Sequence, residues 1–371
     1  MTTAFPFGRR HDSTMHWRRG ALVTGLVFAA RCGSPDTVEE IPPPPPDGGA
    51  ASGDVSTFAI QTLFLGEAPA DGGAPSSRAW KAFGYDLDGL ITTETSTNVC
   101  TLAAAPPSHQ LDGENGIDNA WGATLLPIFQ AAFDFPKLSA DVSDTIDSGS
   151  WTLQIQVTGL TSDPHQSALG LGAQVFVSGP SSSPPTFDSS TDWPVLPSSL
   201  SDGQSIAGGA KVQFSQVYVT DGTVVAKGAS QPIVMPLVLT GRFCPLSCDN
   251  EPVIRILLPV RIHDATLTFV YSSNTAARGI IAGVLDTQEV TDTVRHVLVG
   301  VSTSFCGSAI DGIAQQLAQA QDILQDGTNA PGVPCNAISI GLGFVAQLVA
   351  NPTKVGVDPP VPPDPCDAGT D

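Results

Sequence analysis

The chain has 371 residues, 41% of them hydrophobic, with 37 Gly and 32 Pro, and its 36 acidic against 16 basic residues give a formal net charge of −20. That balance argues against nucleic acid as a partner. The apolar content supports a sizeable core, while so much Gly and Pro implies many turns and few long helices.

At the start, Arg18-Arg19 lead into the apolar run Ala21 to Ala30. It has the size of a signal-peptide core and falls short of the roughly 20 apolar residues that a membrane helix needs. Translation starts at Met1 or at Met15, the latter leaving the short basic lead His16 to Arg19. Cys32 follows where a lipid-bearing cysteine would stand, but Arg31 occupies the place of the small residue that a lipobox carries. Ordinary cleavage near Ala29-Ala30 is the alternative. Residues 1–31 therefore form an export signal. The rest belongs outside the cytoplasm as a periplasmic, outer-membrane or cell-surface lipoprotein, or as a secreted protein, with a membrane involved only through a lipid at Cys32. Without the signal, 11 basic and 35 acidic residues remain, a net charge near −24. Residues 32–54 contain five consecutive prolines, Pro42 to Pro46, and then the Gly-rich Asp47 to Gly53. Extended polyproline next to flexible Gly-rich chain predicts a tether that buries nothing.

Residues 55–350 carry period-two patterns. Strands are predicted at Phe58 to Leu65, through Trp151, Leu153, Ile155 and Val157, and at Ala173 to Ser178, Ile233 to Thr240 and Arg278 to Val284. In Val212 to Val219 the phase slips between Phe214 and Val217, which suggests a bulge at Ser215-Gln216. Ile254 to Ile262 alternate, and a turn at His263-Asp264 would fold Thr266 to Tyr271 back as a hairpin. Ile338, Ile340, Leu342 and Phe344 alternate with Ser339, Gly341 and Gly343, leaving one strand face bare enough for another backbone to lie close. Asp286 or Thr287 can cap one helix, carrying Val290, Val294 and Leu298, and Ser308 another, carrying Ile310, Ile313, Leu317 and Leu324. The predicted fold is mainly β: a β-sandwich of about eight or more strands, or two packed together, with two short helices near the C-terminus. Residues 351–371 form a Pro-rich tail pinned by Cys366.

With Cys32 set apart, six cysteines remain, enough for three disulfides in an oxidising compartment and open to 15 pairings. Proximity favours Cys244 with Cys248 and Cys306 with Cys335, leaving Cys100 to Cys366. A zinc pair at Cys244 and Cys248 lacks Cys or His partners nearby.

The densest polar segments are Gly84-Tyr-Asp86-Leu-Asp88-Gly89 and Leu111-Asp112-Gly-Glu114-Asn115-Gly116-Ile-Asp118-Asn119. Oxygen ligands at alternate positions, with glycines for sharp turns, can wrap calcium, which takes six to eight oxygens. One shared site from Asp86, Asp88, Asp112, Glu114 and Asp118 is one reading; Asx-turns, in which these side chains bond their own backbone, are the other. No other cofactor is signalled. No nucleophile elbow, metalloprotease helix, phosphate loop or dinucleotide fingerprint occurs. His109, His165, His263 and His296 are scattered, and among so many acids only geometry could single out a catalytic pair. Trp80, Trp121 and Trp151 bracket the acidic segments; they fit a core, or a groove for a glycan or a protein partner.

The Cys32 signal, the Pro-rich tether, the two acidic segments and Cys335-Asn-Ala-Ile-Ser-Ile-Gly-Leu-Gly-Phe344 together resemble predicted lipoproteins of myxobacterial type. That group has no assigned activity, so the resemblance implies no catalytic residue. The composite expectation is an extracytoplasmic structural or binding protein held by disulfides and calcium, with a carbohydrate-binding or carbohydrate-cleaving sandwich as the alternative.

Overall fold

The computed structural model describes residues 40–70, 73–102, 110–134, 137–243, 253–272, 274–307, 309–360 and 366. In chain order the strands are β1 (Gly49–Ala50), β2 (Asp54–Phe64), β3 (Phe133–Asp134), β4 (Thr152–Leu160), β5 (Ala168–Leu169), β6 (Gly172–Ser178), β7 (Val212–Thr220), β8 (Thr223–Ala229), β9 (Ile233–Phe243), β10 (Val253–Tyr271), β11 (Thr275–Asp286) and β12 (Ala337–Val349). The helices are α1 (Leu126–Ala132), α2 (Leu138–Asp147), α3 (Thr287–Val301) and α4 (Ala309–Gln319).

Eight strands close on themselves in the order β2, β4, β6, β7, β8, β10, β11, β12 and back to β2, every pairing antiparallel. The fold is a barrel, and the predicted sandwich is corrected on this point. Closure rests on β10, whose residues from Leu267 to Val270 pair with β8 on one edge while the same stretch meets β11 on the other. The hairpin predicted at His263-Asp264 is absent: the chain runs on as one strand of 19 residues. Asp264 instead takes φ 47°, and the register to β11 shifts between His263 and Thr266. Aspartate tolerates a left-handed backbone in a bulge as readily as in a turn, so the same residues serve either. The bulge bends β10, and its first half leaves the barrel to pair with β9.

Phe58, Ile155, Val175 and Val212 are cross-strand partners on one face of β2, β4, β6 and β7, and Val219, Val224 and Phe269 continue it through β8 and β10. All lie in the main core, at 0–7% exposure. The Phe269 ring packs 5.4 Å from Phe58 and 6.3 Å from Phe344, centre to centre. Side chains thus fill the interior, as an eight-strand barrel permits. Gly279 makes room for this packing, since a Cβ there would stand 2.3 Å from the Phe344 ring. Gly279→Ala is expected to cost about 1–3 kcal/mol by overpacking, readable as a lower urea midpoint with an unchanged slope.

The phase slip in β7 is present without a register shift against β8: Phe214 faces Ala229 and Gln216 faces Lys227 in step. Gly228, at φ 69° opposite Ser215, lets both strands turn over together. Asp286 caps α3 by accepting the Glu289 N–H at 2.9 Å, while α4 ends before Leu324. Helices α1 and α2 were not legible beforehand. α2 lies along β2, where the Ser139 and Ser143 hydroxyls accept the Leu65 and Leu63 N–H groups at 2.8 and 3.1 Å.

The proline run does not stand off from the domain. Pro45 is buried, Tyr218 Oη donates to the Pro42 carbonyl at 2.7 Å and Thr220 Oγ1 to that of Pro43 at 2.9 Å. β1 then adds in parallel to β5. Proline carbonyls keep their acceptor strength without an N–H of their own, so a polyproline strand docks well onto hydroxyl donors.

Among the described residues the disulfides are Cys100–Cys335 and Cys306–Cys366, in place of the expected Cys306–Cys335 and Cys100–Cys366. The chain around Thr101 lies beside residues 333–335, with Thr101 N–H on the Val333 carbonyl at 2.9 Å and Cys335 N–H on that of Thr101 at 2.8 Å. This brings Cys100 to Cys335, and Cys366 pins the tail to Cys306. The Cys244–Cys248 pair falls outside the described residues. These disulfides are compatible with an oxidising, extracytoplasmic setting. No helix of the described residues is long and apolar enough to cross a membrane. Cys306 is exposed whereas Cys100 and Cys335 are buried. Mild reductant is therefore expected to open Cys306–Cys366 first, in a timed alkylation read by mass spectrometry.

Candidate metal centre

β12 extends past the end of β2. Their pairing starts at Gly343 and Phe64, so residues 337–342 lack β2 on that side. Phe83, Gly84 and Asn119 cover this stretch, made possible by the bare strand face. A Cβ on Gly341 would meet the Phe83 carbonyl at 2.3 Å, and one on Gly343 the Phe83 ring at 2.3 Å. Asn119, 2% exposed, stands in for the missing strand. Its Oδ1 accepts the Gly341 N–H at 3.1 Å and its Nδ2 donates to the Gly341 carbonyl at 3.0 Å. The same amide reaches the Phe83 and Trp80 carbonyls at 2.9 and 3.2 Å and accepts the Gly122 N–H at 3.0 Å.

Asp118, also 2% exposed, precedes it. Its Oδ2 accepts the Leu87 N–H at 2.7 Å, drawing in the loop that carries Asp86 and Asp88. One carboxylate oxygen from each of Asp86, Asp88 and Asp118 falls within 4.8 Å of the others. Local bonds also form, with Gly89 N–H on Asp86 and Leu90 N–H on Asp88 at 2.7 and 2.8 Å. The Asx-turn reading and the convergent reading therefore hold together: the turns aim the carboxylates. Gly116, at φ 84°, passes beside the Asp86 carboxylate, where a Cβ would be 3.3 Å away.

Of the five residues singled out beforehand, three converge, and Asp112 stands near enough to act on them by charge while accepting the Thr92 N–H. Glu114 is exposed on a one-turn 3-10 helix and does not join. Asp322, which no local spacing marks, acts on Asp118 by charge. It accepts the Ser339 N–H at 2.8 Å and the Ser339 hydroxyl, and Ser339 Oγ in turn accepts the Ala120 N–H at 2.8 Å. Asn329 ties the group to the disulfide, donating to Asp88 and accepting the Cys100 N–H at 2.6 Å. No lysine or arginine among the described residues forms an ion pair with any of these five aspartates.

The electrostatic result is a site short of positive charge. Burial, then the charges of Asp322, Asp88 and Asp112, pushes Asp118 up to about 10. Burial first, and then neighbouring carboxylates, raises Asp112 and Asp322 to about 7 each. Burial also raises Asp86. Without a cation Asp118 holds its proton at neutral pH and Asp112 and Asp322 hold theirs in part; a bound cation would favour their release. Hard carboxylate oxygens without nitrogen or sulfur donors suit calcium or magnesium, and calcium accepts the less regular shell.

The tryptophans form no open platform: Trp80, Trp121 and Trp151 are 8%, 2% and 4% exposed. Trp121 and Trp80 donate to the Leu65 and Ser77 carbonyls. His165 pairs with Asp221 at 2.7 Å and His263 with Glu289 at 2.8 Å, each apart from the acidic group.

Fold and site together define a disulfide-bonded, closed antiparallel barrel with an acidic centre on its outer face. No protein-family profile, curated protein or solved structure matches the chain.

Proposed function

We propose that this protein is an extracytoplasmic structural or binding protein in which calcium, held by Asp86, Asp88 and Asp118, fastens the loops around Asp86 and Asp118 onto the barrel. The observation that carries the reading is the convergence of three carboxylates from two separate loops, one of them almost wholly buried, with no lysine or arginine among the described residues paired to them. Asp112 and Asp322 add field without being needed as direct ligands. The lipid at Cys32 belongs to the same proposal, as does attachment to a periplasmic, outer-membrane or cell surface.

The test is the thermal midpoint of the oxidised protein in calcium and in EGTA. A ligand specific to the native state stabilises by about 2.7 kcal/mol at 100 times its dissociation constant, so calcium should raise the midpoint by about 5 °C or more. An equal rise after Asp86→Asn and Asp118→Asn would remove these residues from the site.

A further inference from the structure

The two disulfides interleave. In chain order their cysteines run Cys100, Cys306, Cys335, Cys366, and each bond joins the first to the third or the second to the fourth. Sequence proximity favours another arrangement. Cys306 and Cys335 are 29 residues apart, whereas the native bonds span 235 and 60. Loop-closure entropy favours the 29-residue loop by about 20-fold over the longest one and about 3-fold over the other. In a chain leaving the cytoplasm from its N-terminus, Cys306 and Cys335 are also both delivered before Cys366.

We infer that this chain first forms Cys306–Cys335 and depends on a thiol–disulfide isomerase, a partner with a low-pKa cysteine thiolate, to reach its native pairing. The exchange balances without net oxidation. The isomerase thiolate attacks Cys306 Sγ and expels the Cys335 thiolate. That thiolate attacks Cys100 Sγ in the companion Cys100–Cys366 bond and expels the Cys366 thiolate. Cys366 then attacks Cys306 Sγ and releases the isomerase thiolate. Two disulfides enter and two leave. Folding makes the first product durable, because Cys100 and Cys335 end at 2% and 4% exposure, out of reach of further thiols. Cys306 stays exposed, so the second bond remains open to exchange until the first has closed.

The full chain, reduced and unfolded, would be refolded with an oxidant free of thiols, and in parallel with protein disulfide isomerase in a glutathione buffer. Peptide mapping by mass spectrometry reads the bonds. Cys306–Cys335 should dominate in the first reaction, and isomerase should speed the appearance of Cys100–Cys335 by tenfold or more. Changing Cys306 and Cys366 to Ala removes the competing partner, and Cys100–Cys335 should then form at the same rate with or without isomerase. Native bonds forming directly under oxidant alone, as fast as with isomerase, would overturn the inference.

Discussion

Asn119→Ala is expected to unfold the protein at markedly lower temperature, with a loss of about 3–5 kcal/mol. The side chain fills hydrogen-bond positions on both groups of Gly341, on the strand edge, and on the carbonyls of Trp80 and Phe83, in the turn that covers it. Alanine would leave these groups buried and unpaired, and each such group costs about 1–3 kcal/mol. Some would recover water as the edge opens, hence the middle of the range. For a chain of this size the midpoint should fall by about 4–7 °C. Asn119→Asp should not restore it, because a carboxylate keeps the acceptor, loses the donors, and adds charge beside Asp118. Calorimetry of the two variants checks this; a change under 1 kcal/mol for both would mean that the edge is held by something else.

The second large effect is a dependence of cation-free stability on pH, running opposite to that of an ordinary salt-bridged carboxylate. Asp112, Asp118 and Asp322 have native pKa values above the unfolded value of 3.8. The native state thus binds more protons than the unfolded chain between that value and about 7 to 10. Their contribution is complete below 3.8 and is lost as pH rises through the native values. In EGTA the midpoint should fall by about 5–10 °C between pH 5 and pH 8. Calcium should flatten the slope by supplying the charge that protons supply at low pH. Asp118→Asn should do two things at once: raise cation-free stability at pH 8, and abolish the stabilisation by calcium. A variant that loses stability in EGTA at pH 8 would show Asp118 to be a hydrogen-bonding residue only.

Much of the barrel was legible in the chain. Alternation marks β2, β4, β6, β9, β11 and β12 because each has an apolar face toward one interior. The bare Ser339, Gly341 and Gly343 face foretold a close approach, and Gly341 receives Phe83 there. Closure was not legible: whether strands form a sandwich or a barrel depends on which edges meet, and the bulge at Asp264 that settles it uses turn-forming residues. Within the site, local spacing exposed Asp86, Asp88, Asp112 and Asp118, but Glu114 shares that spacing and lies exposed on its 3-10 turn, outside the converging group. Asp322 lies far along the chain, and only the folding of β12 against the acidic segment brings it in. The disulfides failed for the same reason. Proximity in sequence sets which bond forms easily, and packing of Thr101 against Val333 sets which one lasts.

The central claim is that the acidic centre is a calcium site, and titration calorimetry at pH 7.5 in two buffers of different ionisation enthalpy tests it most directly. One calcium per chain should bind with net proton release, seen as a heat that differs between the buffers, and Asp86→Asn with Asp118→Asn should remove that heat. Absence of binding heat in both buffers, with the oxidised protein folded, would contradict a calcium site and leave the aspartates as turn and packing residues on a disulfide-held barrel.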